Sequence, residues 1–299
     1  MKKILVLALL LTSVAFAQDI KLIVPFSPGG SSDKLARVLV PLISSAEYNF
    51  IIEYKLGAGG AVAAEYVAKV KDETVIMINT PGLVGNPIIT QSPTYQTARD
   101  FIFVKYLGAE PLLVVVNTKG TITNYNKFNN FVKKYPTMYG SAGIGTSSHI
   151  SAAIIANNNP MIVNVPYKGS AAVLADLIEN RLTWAVDSDA VLSPYIENNN
   201  LIPVAIYGNK RLAKYPNVPT LKELKINDQE FYRWHVLVSN ASADTAVISH
   251  IQQRLMDPKV KTAIEHLGID TTPVKNSNTF LKDETVKLQR IIKDFNIIQ

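Results

Sequence analysis

The sequence contains no cysteine among its 299 residues. This excludes a disulfide framework, a thiolate metal site and an N-terminal cysteine that carries a lipid. Charged residues make up only 18% of the chain and hydrophobic residues 47%, which is typical of globular proteins. A chain of this length can bury one large core or two medium ones, and we expect it to depend on that core for its stability.

Long hydrophobic runs are also missing. The run Ile4 to Ala17 follows a pair of lysines and is shorter than the roughly 20 residues that a membrane span requires. Its charged start, its length and its ending in Ala15-Phe16-Ala17 are typical of a secretory signal peptide. We therefore expect a signal peptide over residues 1–17, cleavage near Ala17, and an exported protein that works in the periplasm.

A strong charge of either sign is absent as well. The formal net charge is +6, and without the two lysines of the signal peptide 28 basic residues face 24 acidic ones. The basic residues are scattered, with only short pairs such as Lys133-Lys134, so the sequence gives no sign of a nucleic-acid partner. It also has no cofactor motif and no set of side chains at metal-ligand spacing, so we expect neither a cofactor nor a metal.

Short β-branched runs alternate with amphipathic segments along the chain. The predicted strands are Ile20–Val24, Phe50–Tyr54, Thr74–Asn79, Leu112–Asn117, Met138–Gly140, Ile162–Val165, Trp184–Asp187 and Ile202–Tyr207, with a loop after the third of these. This alternation predicts an α/β protein built from βαβ units. The part from Ala243 onward is predicted to be mostly helical, with breaks at Pro258 and Pro273.

Two apolar runs lie where the chain would pass between two lobes. They are Leu112–Val116 and Trp234–Val238, and both are followed by a change of pattern. We interpret them as crossovers. This gives a first lobe at 18–115 plus 236–299 and a second lobe at 116–235.

Three glycine-rich turns connect a predicted strand to a predicted helix. They are Phe26–Asp33, Lys55–Gly60 and Gly140–His149. Glycine lets the backbone approach a ligand closely, and the first amides of the following helix are unpaired donors at the positive end of the helix dipole. Because the first and third turns belong to different predicted lobes, we expect them to face one cleft and to hold carboxylate groups. A single turn of this kind also forms without any ligand, through ordinary capping.

Three side chains near these turns have other expected roles. Asp33 is predicted to cap its helix, because its carboxylate would repel an anionic ligand. His149 is predicted to be a hydrogen-bonded structural imidazole, since no second ligand stands beside it at metal-ligand spacing. Asp187 either closes a strand or fixes a ligand amine or hydroxyl. The G-x-S-x-G, P-loop and G-x-G-x-x-G patterns are absent, so the sequence shows no catalytic constellation.

Several motifs occur in a fixed order along the chain. LIVPFSPGGSSDKLAR begins at Leu22, GAGG at Gly57, YGSAGIGTSSH at Tyr139 and VPYKGSAAVLADL at Val165, and a tryptophan follows at position 234. This pattern resembles the tripartite tricarboxylate transporter solute receptors, the Bug or TctC family of periplasmic substrate-binding proteins. The resemblance covers nearly the whole chain after the signal peptide.

The resemblance implies a two-lobed, type II-like periplasmic binding protein in which a Venus-flytrap cleft encloses a carboxylate-bearing ligand. Members of the family bind one carboxylate largely through backbone amides and ordered water. Carried over to this sequence, the expected ligand contacts are Phe26, Ser27, Gly29, Gly30, Ser31, Ala58, Gly59, Thr80, Ser141, Ala142, Gly145, Thr146, Tyr167 and Asp187.

We therefore expect a monomeric periplasmic receptor that captures a small carboxylate by lobe closure and delivers it to a membrane transporter, without chemistry of its own. Two alternatives stay open. One is a receptor with the same cleft that presents its ligand to a sensor protein, and the other is a periplasmic enzyme that uses Ser141 or His149. The identity of the carboxylate is open too, although the lack of an arginine in the cleft motifs counts against a highly charged tricarboxylate.

Overall fold

The computed structural model describes residues 17–91, 94–226, 231–277 and 279–297. In these ranges the chain forms two five-stranded mixed sheets with helices on their faces. The predicted signal peptide lies outside the described residues, apart from Ala17. None of the described helices is long and apolar enough to cross a membrane.

The first sheet joins strands from both ends of the chain. Its strands are β1 (Gln18–Val24), β2 (Tyr48–Tyr54), β3 (Val75–Asn79), β4 (Phe101–Glu110) and β10 (Arg233–Asn240). They lie in the order β2-β1-β3-β10-β4. Strand β1 is parallel to β2 and β3, whereas β10 is antiparallel to β3 and β4. All of β3 is buried, as its sequence, apolar apart from Asn79, predicts for a strand covered on both faces.

The second sheet repeats this arrangement. Its strands are β5 (Leu112–Asn117), β6 (Thr137–Ser141), β7 (Ile162–Pro166), β8 (Trp184–Ser188) and β9 (Leu201–Tyr207). They lie in the order β7-β6-β8-β5-β9. Strand β6 is parallel to β7 and β8, and β5 is antiparallel to β8 and β9. Each sheet is the base of one lobe.

The helices follow the strands in a regular way. Those of the first lobe are α1 (Ser31–Ile43), α2 (Ala61–Lys69), α3 (Gly82–Thr90), α4 (Thr97–Asp100), α9 (Thr245–Arg254), α10 (Pro258–Glu265) and α11 (Phe280–Asp294), with a 3₁₀ turn at Ala58–Gly60. Those of the second lobe are α5 (Tyr125–Lys134), α6 (Ser147–Ala156), α7 (Ser170–Ile178) and α8 (Asp189–Glu197). Helices α1 and α6 begin directly after the loops that follow β1 and β6.

The chain changes sheets twice. The first change is at Pro111, between β4 and β5, and the second is between β9 and β10. The two runs interpreted as crossovers are thus strands inside the sheets, because β5 and β10 pair with their neighbours along their whole length. The predicted lobe boundaries after residues 115 and 235, and the extent of each lobe as a folding unit, stay predictions.

The core consists of three hydrophobic clusters. One packs the first sheet against α1, α9 and α10, and another packs the second sheet against α7 and α8. The third extends from Met77 and Val84 in the first lobe to Ile150 and Trp184 in the second. The two lobes therefore share one apolar cluster, which adds to the backbone links between them.

Candidate ligand-binding cleft

A narrow cavity of about 20 Å³ lies between the N-terminal ends of α1 and α6. Its lining consists of Phe26, Gly30, Ser31, Ser32, Thr80, Ala142, Thr146, Ser147, Ser170 and Arg233. The first amides of each helix have no acceptor within their own helix, so they are donors for an anion. Small-molecule sites occur preferentially at interfaces between domains, and this cavity lies between the two lobes.

Asp33 holds the loop between β1 and α1 in place. Its Oδ2 accepts a 2.8 Å hydrogen bond from the Gly29 amide, and its Oδ1 accepts bonds from the Tyr54 hydroxyl at 2.5 Å and the Arg37 guanidinium at 3.0 Å. Burial works to raise the pKa of Asp33, but these hydrogen bonds outweigh it and lower the pKa below its ordinary value. The ionised carboxylate is engaged within its own loop.

The loop between β6 and α6 is held by its own side chains. Thr146 caps α6, accepting a hydrogen bond from the His149 amide and donating one to the Gly143 carbonyl. The Ser148 hydroxyl accepts a 3.0 Å bond from the Ala142 amide. These bonds fix the backbone that faces α1 before any ligand binds.

His149 is neutral in this arrangement. Its Nδ1 accepts a 3.3 Å hydrogen bond from the Gly145 amide, which places the ring proton on Nε2. Burial lowers the pKa of His149 to about 4. The imidazole therefore supports the loop without carrying a charge at neutral pH.

Glycines bring the two lobes into contact at the rim of the cleft. A Cβ atom on Gly59 would lie 2.1 Å from the Ile144 carbonyl oxygen, and one on Gly85 would lie 2.4 Å from the Gly145 carbonyl oxygen. Real Cβ atoms do not approach backbone so closely, so only glycine permits this approach. The turns predicted to approach a ligand thus also approach each other.

Hydrogen bonds between the lobes accompany these contacts. The Ser27 amide donates to the Lys168 carbonyl at 3.3 Å. Lys34 Nζ donates to the Ala190 carbonyl at 2.7 Å, and the Asn86 amide side chain donates to the Ile144 carbonyl at 3.1 Å. The structure therefore has its lobes closed on each other.

The residues predicted to contact a ligand fall into two sets. Those that line the cavity are Phe26, Gly30, Ser31, Thr80, Ala142 and Thr146. Those that lie outside its lining are Ser27, Gly29, Ala58, Gly59, Ser141, Gly145, Tyr167 and Asp187. Among the described residues, the buried hydroxyls of Ser27 and Ser141 have no hydrogen-bond partner, whereas the Tyr167 hydroxyl donates to Asp176 at 2.6 Å.

Arg233 lines the cavity although no cleft motif contains it. It starts β10 and reaches the second lobe, where its Nε donates to the Ser147 hydroxyl at 3.0 Å and its Nη1 to Asp187 Oδ1 at 2.5 Å. Burial works to lower the pKa of Arg233, but the charges of Asp187 and Glu110 raise it. The cleft motifs contain no arginine but the cavity lining does, so the lack of an arginine in the motifs is no guide to the charge of the ligand. The available signal was a basic residue at the start of the apolar strand RWHVLV.

A second polar cluster lies directly behind Ser31. Glu110 and His235 are completely buried. Glu110 Oε1 is 2.5 Å from Ser31 Oγ and 2.9 Å from His235 Nε2, and Nε2 is 3.1 Å from Ser31 Oγ. Burial works to raise the pKa of Glu110, but the hydrogen bond and charge of His235, the charge of Arg233 and the Ser31 hydroxyl lower it. Glu110 is therefore ionised.

This cluster has the composition of a serine, histidine and acid triad but a different geometry. In a triad the carboxylate binds one ring nitrogen and the serine the other. Here Glu110 and Ser31 both face Nε2 of His235, and Nδ1 has no partner among the described residues. Among all the residues that the structure describes, no three His, Asp or Glu side chains are grouped so that they could hold a metal ion.

Known proteins share both the sequence pattern and the fold. Residues 43–297 match a family described as the tripartite tricarboxylate transporter family receptor. Protein BugT of Bordetella pertussis is 26% identical over 294 residues, which cover 93% of this chain and 89% of BugT.

Two solved structures show the same architecture. The structure of R. palustris Rpa4515 with adipate has a TM-score of 0.85 at 24% identity, covering 94% of this chain and 98% of that one. MatC (Rpa3494) from Rhodopseudomonas palustris with bound malate has a TM-score of 0.81 at 20% identity, covering 92% and 98%. The predicted two-lobed α/β fold is confirmed, and the chain belongs to the tripartite tricarboxylate transporter receptor family.

Proposed function

We propose that this protein is a periplasmic solute receptor that encloses a small carboxylate between its lobes and delivers it to a membrane transporter. The observation that carries this proposal is the cavity between the N-terminal ends of α1 and α6, with Arg233 in its lining. Unpaired helix amides bind carboxylates in proteins, and Arg233 holds the cavity wall together through Asp187 and Ser147. Adipate and malate, the ligands of the two related structures, are small carboxylates.

Lobe closure provides the mechanism of capture. The closed form is held by contacts that only exist when the two lobes meet, such as Gly85 of α3 against Gly145. A ligand that binds both helix ends stabilises this form over an open one. We expect a micromolar dissociation constant, about −8 kcal/mol, which several hydrogen bonds to a charged group can supply at roughly 1.5–3 kcal/mol each after ordering costs.

The same proposal includes binding without chemical conversion. Ser141 Oγ has no hydrogen-bond partner among the described residues, so no base lies in position to activate it. Nδ1 of His149 is already bonded to a backbone amide. We further propose that the receptor acts as a monomer, that its signal peptide is removed near Ala17, and that the contact residues carried over from the family motifs surround the ligand.

A thermal-shift screen of refolded protein tests the proposal. Refolding removes ligand carried over from the cell, and the screen covers mono-, di- and tricarboxylates, amino acids and phosphate esters. A ligand at a hundred times its dissociation constant should stabilise the fold by about 2.7 kcal/mol. A shift confined to carboxylates supports the proposal, whereas a shift only with phosphate esters, or no shift at all, contradicts it.

Transport itself needs a separate test. Cells that lack the gene should take up the identified carboxylate more slowly, and the wild-type gene should restore uptake. Normal uptake combined with a lost transcriptional response to the same carboxylate would instead indicate that the receptor serves a sensor protein.

A further inference from the structure

The hydroxyl of Ser31, at the start of α1, lies next to the buried carboxylate of Glu110. Ser31 lines the cavity, and its Oγ lies 2.5 Å from Glu110 Oε1. An ionised carboxylate only accepts hydrogen bonds, so the single proton of the serine hydroxyl must point to Glu110. The Ser31 hydroxyl therefore cannot donate to a ligand carboxylate.

What remains on Ser31 Oγ is acceptor capacity. A hydroxyl has two lone pairs, and the Nε2 proton of His235 can occupy at most one of them, since it also faces Glu110 at 2.9 Å. Among the described residues no further donor faces Ser31 Oγ, and Ser31 lines the cavity, so a ligand can use the other lone pair. A ligand group that fits this position must be a hydrogen-bond donor, because a carboxylate oxygen placed there would face an acceptor.

The charges around this end of the cavity favour the same ligand chemistry. Among the described residues, two buried carboxylates, Glu110 and Asp187, surround the guanidinium of Arg233 at 3.9 and 2.5 Å. The positive charge of Arg233 is thus already neutralised by protein carboxylates before a ligand enters. A donor such as an ammonium or a hydroxyl group is compatible with this surrounding, whereas a second carboxylate beside Ser31 would add like charge.

The position of the donor relative to the ligand carboxylate follows from the residue itself. Ser31 starts α1, so its backbone amide is one of the unpaired donors of the helix end. The amide and the hydroxyl of one serine can therefore bind two neighbouring groups of a ligand. A ligand whose carboxylate binds the Ser31 amide can also donate to the Ser31 hydroxyl if its donor group is on the carbon next to that carboxylate.

On the basis of the function proposed above, we propose that the ligand carries a hydrogen-bond donor on the carbon next to its carboxylate, as α-amino and α-hydroxy acids do, and that Ser31 Oγ accepts that hydrogen bond. Ser31 is then a specificity-determining residue, and Glu110 is the positioning residue that fixes the direction of its proton.

Calorimetric titration of refolded wild-type protein tests the proposal with matched acids. The series are propionate, lactate and alanine; succinate, malate and aspartate; and glutarate, 2-hydroxyglutarate and glutamate, which differ within each series only at the α-carbon. In the series that binds, we expect an α-substituted acid to bind at least tenfold tighter than the unsubstituted one. Equal or tighter binding of the unsubstituted acid overturns this inference and leaves the carboxylate receptor intact. If no carboxylate in this set or in the wider screen binds, both proposals fail.

A pair of variants then assigns the preference to Ser31. In Ser31→Ala the affinity ratio between the α-substituted and unsubstituted acids should fall to within about threefold, because the acceptor is gone. The control is Ser239→Ala, since Ser239 is equally buried at the far end of β10 and its hydroxyl has no partner among the described residues. The control should keep the wild-type ratio. A Ser31→Ala protein that binds every acid more weakly by the same factor would show a merely structural role.

Discussion

Arg233 on β10 of the first lobe donates a 2.5 Å hydrogen bond to Asp187 on β8 of the second lobe. Both side chains are buried, with 6% and 3% of their surface exposed. A buried charge is tolerated only when it is paired, because its hydration is lost. The base of the cleft therefore depends on a charge pair that joins the lobes where the chain crosses between them.

Replacing Arg233 by methionine should lower the free energy of unfolding by about 3–5 kcal/mol, because Asp187 would stay buried without its counter-charge. Urea denaturation at neutral pH measures this loss. The matched control is Arg211→Met, whose partner Glu223 is half exposed, so the loss there should stay below about 1 kcal/mol. Similar small losses in both variants would contradict a role for the buried pair.

Gly85 lies in α3 of the first lobe, directly against the second lobe. A Cβ atom there would stand 2.4 Å from the Gly145 carbonyl oxygen and 3.0 Å from the end of Ile150. We expect Gly85→Ala to prevent full closure and to weaken ligand binding at least tenfold, measured by calorimetry with the best acid from the screen. The unliganded protein should be no less stable, because alanine favours a helix over glycine by about 1 kcal/mol.

The control for this variant is Gly120→Ala. A Cβ atom on Gly120 would be 3.8 Å from its nearest neighbour, the Asn117 carbonyl oxygen, which is an ordinary contact. Its affinity should equal that of the wild type. Small-angle scattering of both variants with ligand should show a larger radius of gyration only for Gly85→Ala, and full compaction of that variant would contradict the steric argument.

Much of the fold was predictable because its central strands are apolar runs that end in turns. Helix α3 was not, since Gly82, Gly85 and Pro87 all disfavour a helix and the sequence predicts a loop there. The structure stabilises it by tertiary packing, with Leu83 and Val84 in the shared core. Gly85, one of the residues that weaken the helix signal, is the glycine that lets α3 approach the second lobe.

Two other elements show the limits of local patterns. Strand β4 lacks a clean alternation and is specified by its antiparallel pairing with β10, more than a hundred residues away. Pro258 was predicted as a break, but it is the first residue of α10, capped by Asp257. Proline fits the first turn of a helix because its missing amide proton has no acceptor there.

The cleft also has residues that the sequence predicts and residues that it does not. The loops after β1 and β6 were predictable from their glycines and from the family motifs. Glu110, Arg233 and His235 were not, because each adjoins or lies in an apolar strand and acquires its role only when the two crossing strands meet. The observable signal was three titratable residues near the ends of two mainly apolar segments.

Asp33 offers a test of how the first loop is held. Asp33→Asn keeps the shape of the side chain but removes the charge that Gly29, Tyr54 and Arg37 bind. We expect it to lower the free energy of unfolding by about 1–2 kcal/mol at pH 7.

The difference in free energy of unfolding between wild type and Asp33→Asn should depend on pH, because the pKa of Asp33 is lowered in the folded protein. Stabilisation by the carboxylate is complete above its unfolded pKa of about 3.9 and is lost as the pH falls through the lower folded value. The gap between wild type and Asp33→Asn, measured by urea denaturation, should therefore narrow below about pH 4. Asp19→Asn is the exposed control and should change stability by less than about 0.5 kcal/mol. A gap that is constant down to pH 2 would exclude a role for the charge.

His149 should make the protein less stable as the pH falls from 7 to 4, a range in which Asp33 is still ionised. Its pKa is about 4 in the folded protein against an ordinary 6.5, so between these values the unfolded chain binds a proton that the folded chain does not. The free energy of unfolding should fall by about 3 kcal/mol from pH 7 to pH 4, at 1.36 kcal/mol per pKa unit. His149→Gln should flatten this decline in urea titrations at pH 7, 5.5 and 4.5, whereas the exposed control His266→Gln should retain it. An equally steep decline in His149→Gln would mean that other groups cause the acid sensitivity.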